Sequence, residues 1–400
     1  MRNGQSERFG NIKEKNLKLL FNMICDRPGI SRAQLSRDTG LSKPAVSELA
    51  DELVNSGYVR MSGTDESGKA GRRAVCLEPD PSYGVFISIA LGERTADVRV
   101  YDFALGLLEE FTFGIEYTKG CIASLTDRIL ASSEVISLSR VVCTCFSLPA
   151  AVDSNRSEIR STVLDFDGSL NLIKEIESLG VSGTKAIVNE TIAYCYEEYA
   201  SFKDDTEDML FIEVSDGVGA GIVIGGKVFR GAGGSAGEFG HTSVDADGPV
   251  CCCGRRGCLE QYISKKAIIA SAVGSGVIKD GAEGLAGISE KYAGGNSKAV
   301  KLYENISDKL AFGLGNMVAM FDISLIVIGG GIEVLGAGFL DMVRMKTENY
   351  MISGEYRTRG RLAITYSNLA PDSKNLGSAR YFRDNILNLS CGPEDGIYYI

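Results

Sequence analysis

Apolar residues near the start of the chain recur at helical spacing. Leu17, Leu20, Phe21 and Ile24 fall at i, i+3, i+4 and i+7, one face of a helix, and Arg27-Pro28-Gly29 ends it. Ser31 with Gln34 three residues on signals the start of a second helix, which stops at Gly40. Ser42 caps a third helix with Pro44 in its first turn, and Val46, Leu49 and Leu53 share its inner face. Gly40 leaves only a short turn between helices two and three, as a helix-turn-helix requires. Beyond Gly57, the runs 58–61 and 74–77 flank a polar tip and read as the two strands of a wing. A helix lying in the major groove offers its first residues to base edges. Ser42, Lys43, Ala45 and Ser47 are therefore expected near double-stranded DNA, with Arg72 and Arg73 reaching phosphates or the minor groove. The bland alternatives are a protein-binding helical domain and a solvated charge run.

Residues 78–82, Glu-Pro-Asp-Pro-Ser, read as a linker, after which the pattern turns to strands: 85–91, 96–101 and 107–113. A helix is expected near Ser124–Ser137, then a buried strand at 141–148. Further strands follow at 186–188, 209–214, 221–224 and 325–328, and the helix from about Lys298 to Phe321 reads as plain core. Strands alternating with helices make an α/β body. The tail after Asn388 reads as surface.

Composition narrows the class. At 400 residues, two or three domains are expected, and 44% hydrophobic with 24% charged residues is ordinary for a soluble globular protein. The sequence holds no apolar run of membrane-spanning length and no signal-peptide pattern, so a cytoplasmic protein without a membrane role is expected. Charge is uneven: residues 1–80 carry 13 Lys and Arg against 11 Asp and Glu, while the rest carries 29 against 41. A mildly basic head on an acidic body suits a nucleic-acid module joined to something that does not touch DNA.

The chemistry concentrates between Gly231 and Glu260. Cys251, Cys253 and Cys258, three of the eleven cysteines, sit beside His241, the only histidine. One imidazole and three thiolates complete a tetrahedral set that suits Zn²⁺, with no position open for a reactive water, so the metal is expected to be structural. Cys252 is the alternative fourth ligand. Glu238 and Glu260 flank this loop, and carboxylates converging with an imidazole suit a polyol.

The elements Glu238-Phe239-Gly240-His241 and Cys251-Cys252-Cys253-Gly254-Arg255-Arg256-Gly257-Cys258-Leu259-Glu260 resemble the signature of the ROK family (repressors, open reading frames and sugar kinases). The resemblance implies an N-terminal winged helix-turn-helix over residues 1–80 and two actin-like lobes, 81–195 and 196–400, the C-terminal helix returning to the first. It implies zinc on His241, Cys251, Cys253 and Cys258, and a sugar site of Asn189, Glu190, Glu238, His241 and Glu260. It also offers a kinase as well as a sensor, and phosphoryl transfer depends on backbone amides around phosphates and a placed base. The first phosphate hairpin of the family, Asp-x-Gly-Gly-Thr, is here Ala90-Leu91-Gly92-Glu93-Arg94, and the second, Gly-Thr-Gly-Val-Gly, is Ser215-Asp216-Gly217-Val218-Gly219. Carboxylates at both would repel phosphate. The base position holds Glu190, one methylene longer than the family's Asp, while the Gly329-Gly330-Gly331 turn is kept. A sugar-responsive transcription regulator, a repressor acting as a homodimer or higher homo-oligomer, is therefore expected, with no catalytic residue. An ATP-dependent sugar kinase with a DNA-binding head and a repressor governed by a protein partner are the rivals.

Overall fold

The computed structural model describes residues 3–64, 75–153, 158–161, 164, 170–180, 183–352, 362–370, 372–390 and 396–399. The chain divides into two compact units: Met1–Phe146 with Lys174–Ile187 and Ser378–Tyr398, and Ser147–Ile173 with Val188–Gly377 and Tyr399–Ile400.

The first unit opens with α1 (Asn3–Asp26), β1 (Ile30–Ser31), α2 (Arg32–Thr39) and α3 (Lys43–Asn55), then the wing strands β2 (Val59–Thr64) and β3 (Val75–Pro79). The start and stop signals act as local chemistry dictates. Ser31 accepts from the Gln34 amide while Gln34 Oε1 accepts from the Ser31 amide at 2.8 Å, and Gly40 closes α2 at φ 71°. Ser42 Oγ accepts from the Ala45 amide at 3.4 Å to start α3. Leu20, Phe21, Ile24, Leu35, Val46, Leu49 and Leu53 bury the inner faces. β1 escapes sequence reading because two residues show no alternation; it pairs antiparallel with β3, Ile30 opposite Leu77.

The expected linker is itself structured. β3 runs to Pro79, and Pro81–Tyr83 form a 3-10 turn capped by Asp80. Next come β4 (Val85–Leu91), β5 (Thr95–Asp102) and β6 (Leu107–Gly114), an antiparallel meander. Phe103, fully buried after β5, gathers aromatic rings from head and sheet: Phe21 at 5.9 Å, Tyr58 at 5.9 Å, Tyr83 at 4.7 Å and Phe86 at 5.8 Å. The C-terminal segment adds polar clamps. Lys18 of α1 donates to the carbonyls of Arg383 and Leu387 at 2.9 and 3.0 Å, and Asn22 donates to that of Asp384 at 3.1 Å. Burial pulls the Lys18 ammonium down to about 8, with Asp384 opposing. Beside it the Arg383–Asp384 ion pair, 2.8 Å long, is 1% and 5% exposed. Phe103→Ala would leave a cavity where head and sheet meet, and is expected to cost about 3–5 kcal/mol in a urea unfolding series. A cost within error of zero would mean that these rings do not hold the head.

α4 spans Cys121–Ser132, earlier than the stretch expected from sequence. Its N-terminal amides, Gly120 and Ile122, donate to the carboxylate of Glu175 at 2.5 and 3.2 Å, a cap from 55 and 53 residues away that local patterning cannot reveal. After β7 (Val141–Leu148) the hairpin β8 (Ala151–Asp153) and β9 (Glu158–Arg160) belongs to the second unit. α5 (Leu172–Glu177) and β10 (Thr184–Asn189) follow. The sheet runs from strand Ile397–Tyr399 through β10, β7, β4 and β5 to β6. Part of the tail expected at the surface is thus an edge strand.

In the second unit α6 (Glu190–Phe202) precedes β11 (Met209–Val214), β12 (Val218–Ile224) and β13 (Lys227–Val228). α7 (Glu260–Ile263), α8 (Lys265–Ser275), α9 (Gly284–Ala293) and α10 (Ser297–Phe321) lead to β14 (Leu325–Gly329), α11 (Gly336–Tyr350) and β15 (Ala363–Tyr366). The strand order is β13, β12, β11, β14, β15; β11 lies antiparallel to β12 and parallel to β14. α10 buries Leu302, Tyr303, Leu310 and Leu314, the core role expected of it. Among the described residues no helix is long and apolar enough to cross a membrane.

Candidate sugar pocket and metal loop

A cavity of ≈ 720 Å³ opens in the second unit, lined by residues that include Asn189, Glu190, Glu213, Glu238, His241 and Glu260. That size is ordinary for a small-molecule site. Four pieces of the chain build it: the segment around β8 and β9 from Pro149 to Leu164, the start of α6, the β11–β12 hairpin, and the loop from Gly234 to Glu260.

The loop is held by tight backbone turns. Cys251 N donates to Arg255 O at 2.8 Å, Gly254 N to Cys251 O at 2.9 Å, and Leu259 N to Thr242 O at 2.9 Å. Gly257, at φ +62°, lies so close to the Asp245 carbonyl that a Cβ would overlap it. These turns bring one ligand atom each of His241, Cys251, Cys253 and Cys258 within 4.8 Å of one another. Cys251 Sγ is 3.6 Å from His241 Nδ1, and Cys253 Sγ is 3.6 Å from Cys258 Sγ. A tetrahedron with metal–sulfur bonds of about 2.3 Å has edges of about 3.8 Å. Donor chemistry and spacing both fit zinc. Cys252 is exposed and joins only a three-donor group with Cys251 and Glu260.

His241 turns its other nitrogen toward Glu238, Nε2 to Oε2 3.8 Å, so one ring would serve a metal held by the four-donor group and the cavity at once. Burial pushes the Glu238 carboxyl up, His241 opposing and Glu260 adding to it. Glu260 begins α7, and its Oε2 accepts from the Val218 amide at 3.2 Å. Asn189 caps α6: its Oδ1 accepts from the Ile192 amide at 3.2 Å and its Nδ2 donates to Ala150 O at 2.8 Å. Much of its hydrogen-bonding capacity therefore goes to backbone. Glu190 is fixed by Lys374 Nζ at 2.7 Å. Sequence reasoning missed Lys374, 184 residues away, and Glu213, whose signal was a lone carboxylate inside the apolar strand β11.

Several amides in the segments that match the family's nucleotide elements have partners of their own. Val218 N goes to Glu260, Ser215 N to Gly217 O at 2.9 Å, and Gly331 N to the Glu333 carboxylate at 2.7 Å. In the first unit Gly92 N donates to Thr95 O at 2.8 Å, with Glu93 and Arg94 exposed beside it.

In the head, Ser42 and Lys43 are exposed, and Ala45 and Ser47 half-buried. Arg32 donates weakly to Ser47 at 3.4 Å and pairs with Asp51 at 2.6 Å. Arg72 and Arg73 lie outside the described residues.

Comparison with known proteins extends both halves. The winged helix-turn-helix DNA-binding description matches residues 13–60. The xylose repressor of Caldicellulosiruptor bescii is 27% identical over 357 residues, 83% of this chain and 87% of that protein. The N-acetylmannosamine kinase of Escherichia coli (strain SMS-3-5 / SECEC) is 37% identical over 214 residues, covering 49% of this chain and 70% of its own. A crystal structure of a ROK family transcriptional regulator, homolog of the E. coli MLC protein, superposes with TM-score 0.77 at 23% identity, covering 93% of this chain and 97% of its own. The fold is thus a winged helix-turn-helix followed by the actin-like ROK body. With the ROK description matching residues 140–384, more than half of its length, the chain belongs to the ROK family.

Proposed function

We propose that the protein is a sugar-responsive, DNA-binding transcription regulator, a repressor, and not an enzyme. One observation carries this: the cavity keeps the carboxylates and imidazole suited to a polyol, while the Ser215 and Val218 amides of the second phosphate element are bonded to the Gly217 carbonyl and the Glu260 carboxylate. Glu238, His241, Glu260 and Glu190 would bind ligand hydroxyls, with Asn189 shaping the wall. His241, Cys251, Cys253 and Cys258 would hold a structural zinc ion that keeps the Glu238–Glu260 loop in register. Ser42, Lys43, Ala45 and Ser47, with Arg72 and Arg73, would meet the operator. A homodimer or higher homo-oligomer would match the paired half-sites that helix-turn-helix regulators read, and the cytoplasm is where it would act. A sugar alters operator affinity only by binding two states of the protein unequally; about 1–3 kcal/mol of coupling changes affinity roughly 5–150-fold.

The kinase relative makes turnover the decisive control. Full-length protein is expected to bind DNA selected from a random pool, and D-xylose or another free sugar is expected to shift that affinity at least about five-fold. ATP, Mg²⁺ and the same sugars are expected to yield no ADP. Measurable turnover would make the body a kinase; DNA affinity indifferent to every free sugar would place control with a protein partner.

A further inference from the structure

Glu213 belongs to none of the family elements above, yet it lines the cavity. It is 6% exposed, and its Oε2 accepts from Thr191 Oγ1 at 2.5 Å. Its strand neighbours offer it no charge, being Gly219 in β12 and Gly329 in β14. The charged groups that reach it are Glu190 on α6 and Lys374 on helix Ser373–Tyr381. Lys374 is already the counter-ion of Glu190.

We propose that Glu213 is a ligand-binding, specificity-determining residue: a neutral carboxylic acid that donates to the oxygen of one ligand hydroxyl, whose own O–H donates in turn to Glu190, the partner of Lys374. This rests on the sugar-pocket reading above. Two carboxyls in one poorly solvated wall that share one cation cannot both ionise cheaply. Glu190 holds the ammonium, so Glu213 keeps the proton. Burial and the Glu190 charge push it up to about 8, with Thr191 and Lys374 pulling the other way. Thr191 donates to Oε2, so in this proposal the acid proton sits on Oε1 and is offered to the cavity that Glu213 lines. Only a hydroxyl both accepts and donates at one atom. A deoxy position leaves both protein groups unpaired, and a phosphate ester there would face the Glu190 charge. The pair therefore selects an unphosphorylated sugar with a free hydroxyl at this wall.

Zinc-loaded, full-length wild type, E213Q and E213L would be titrated calorimetrically with D-xylose, D-glucose and N-acetyl-D-mannosamine between pH 6 and 9.5. At pH 7 the sugar that binds wild type is expected to bind E213Q within about three-fold, because the amide still donates, and E213L at least about thirty-fold more weakly. Wild-type affinity is expected to fall about ten-fold per unit above pH 8, as the donor is lost, while E213Q stays flat. A wild-type profile matching that of E213Q, or full affinity in E213L, overturns the role of Glu213 and leaves the sugar pocket standing. Should E213L fail to fold, the two pH profiles decide. Wild type that binds no sugar at pH 7 overturns the pocket reading, and the Glu213 role with it.

Discussion

Cys258→Ser is expected to abolish the sugar response while leaving operator binding within about two-fold. Cys258 is fully buried, and the next residues but one start α7 with Glu260. Around it the chain carries only two isolated bridges, Ser243 with Cys258 and Val250 with Arg256, and no regular element from Thr242 to Leu259. Such a loop has tight backbone turns but no helix or strand to hold it, and structural zinc contributes about 10–16 kcal/mol of apparent binding energy in small zinc peptides. A serine oxygen in place of one thiolate weakens a site built for soft donors. Zinc content per chain, the sugar-induced rise in melting temperature and fluorescence anisotropy on DNA would be measured together. Wild-type sugar response in protein that holds no zinc would show that the cluster does not shape the pocket.

Gly237→Ala is the second large effect, and it acts through the backbone alone. Gly237 sits at φ +94°, and a Cβ there would overlap the carbonyl oxygen of Ala220 in β12, the residue whose amide donates to Gly237 O at 2.8 Å. A side chain in the left-handed region costs about 1–2 kcal/mol by itself. The overlap is with main chain, which cannot swing aside, so the loop must lift off β12 and carry Glu238 with it. Sugar affinity is expected to fall about 100-fold or more, equivalent to about 2.7 kcal/mol. Gly233→Ala is the control: nothing lies within 4 Å of its Cβ position. Equal affinities for the two variants would mean that Glu238 is not held by this contact.

What the sequence discloses follows the range of the forces involved. Ser31, Gln34, Gly40 and Ser42 act on neighbours three or four residues away, and each does in the structure what its local pattern implies. The metal set is similarly local, all within eighteen residues of chain from His241 to Cys258. Glu175, which caps α4, and Lys374, which holds Glu190, act across the fold, and no window of sequence contains both partners. Glu213 was visible as an anomaly in an apolar strand, but only the cavity gives that anomaly a use. The three terminal residues that complete the first sheet, Ile397–Tyr399, are too few for a period to register.

The ring cluster around Phe103 and the grip of Lys18 and Asn22 on the C-terminal carbonyls have a practical corollary. The described part of the head, residues 3–64 and 75–80, does not hang from a tether: rings fasten it to the sheet behind, and hydrogen bonds fasten it to the segment Arg383–Leu387. Severed there, the fragment would bare Phe21 and Tyr58 to water and leave a buried ammonium without its acceptors. The same contacts tie α1, against which α3 packs, to that sheet and to the C-terminal segment, so a cut at Asp80 would separate surfaces that fold as one.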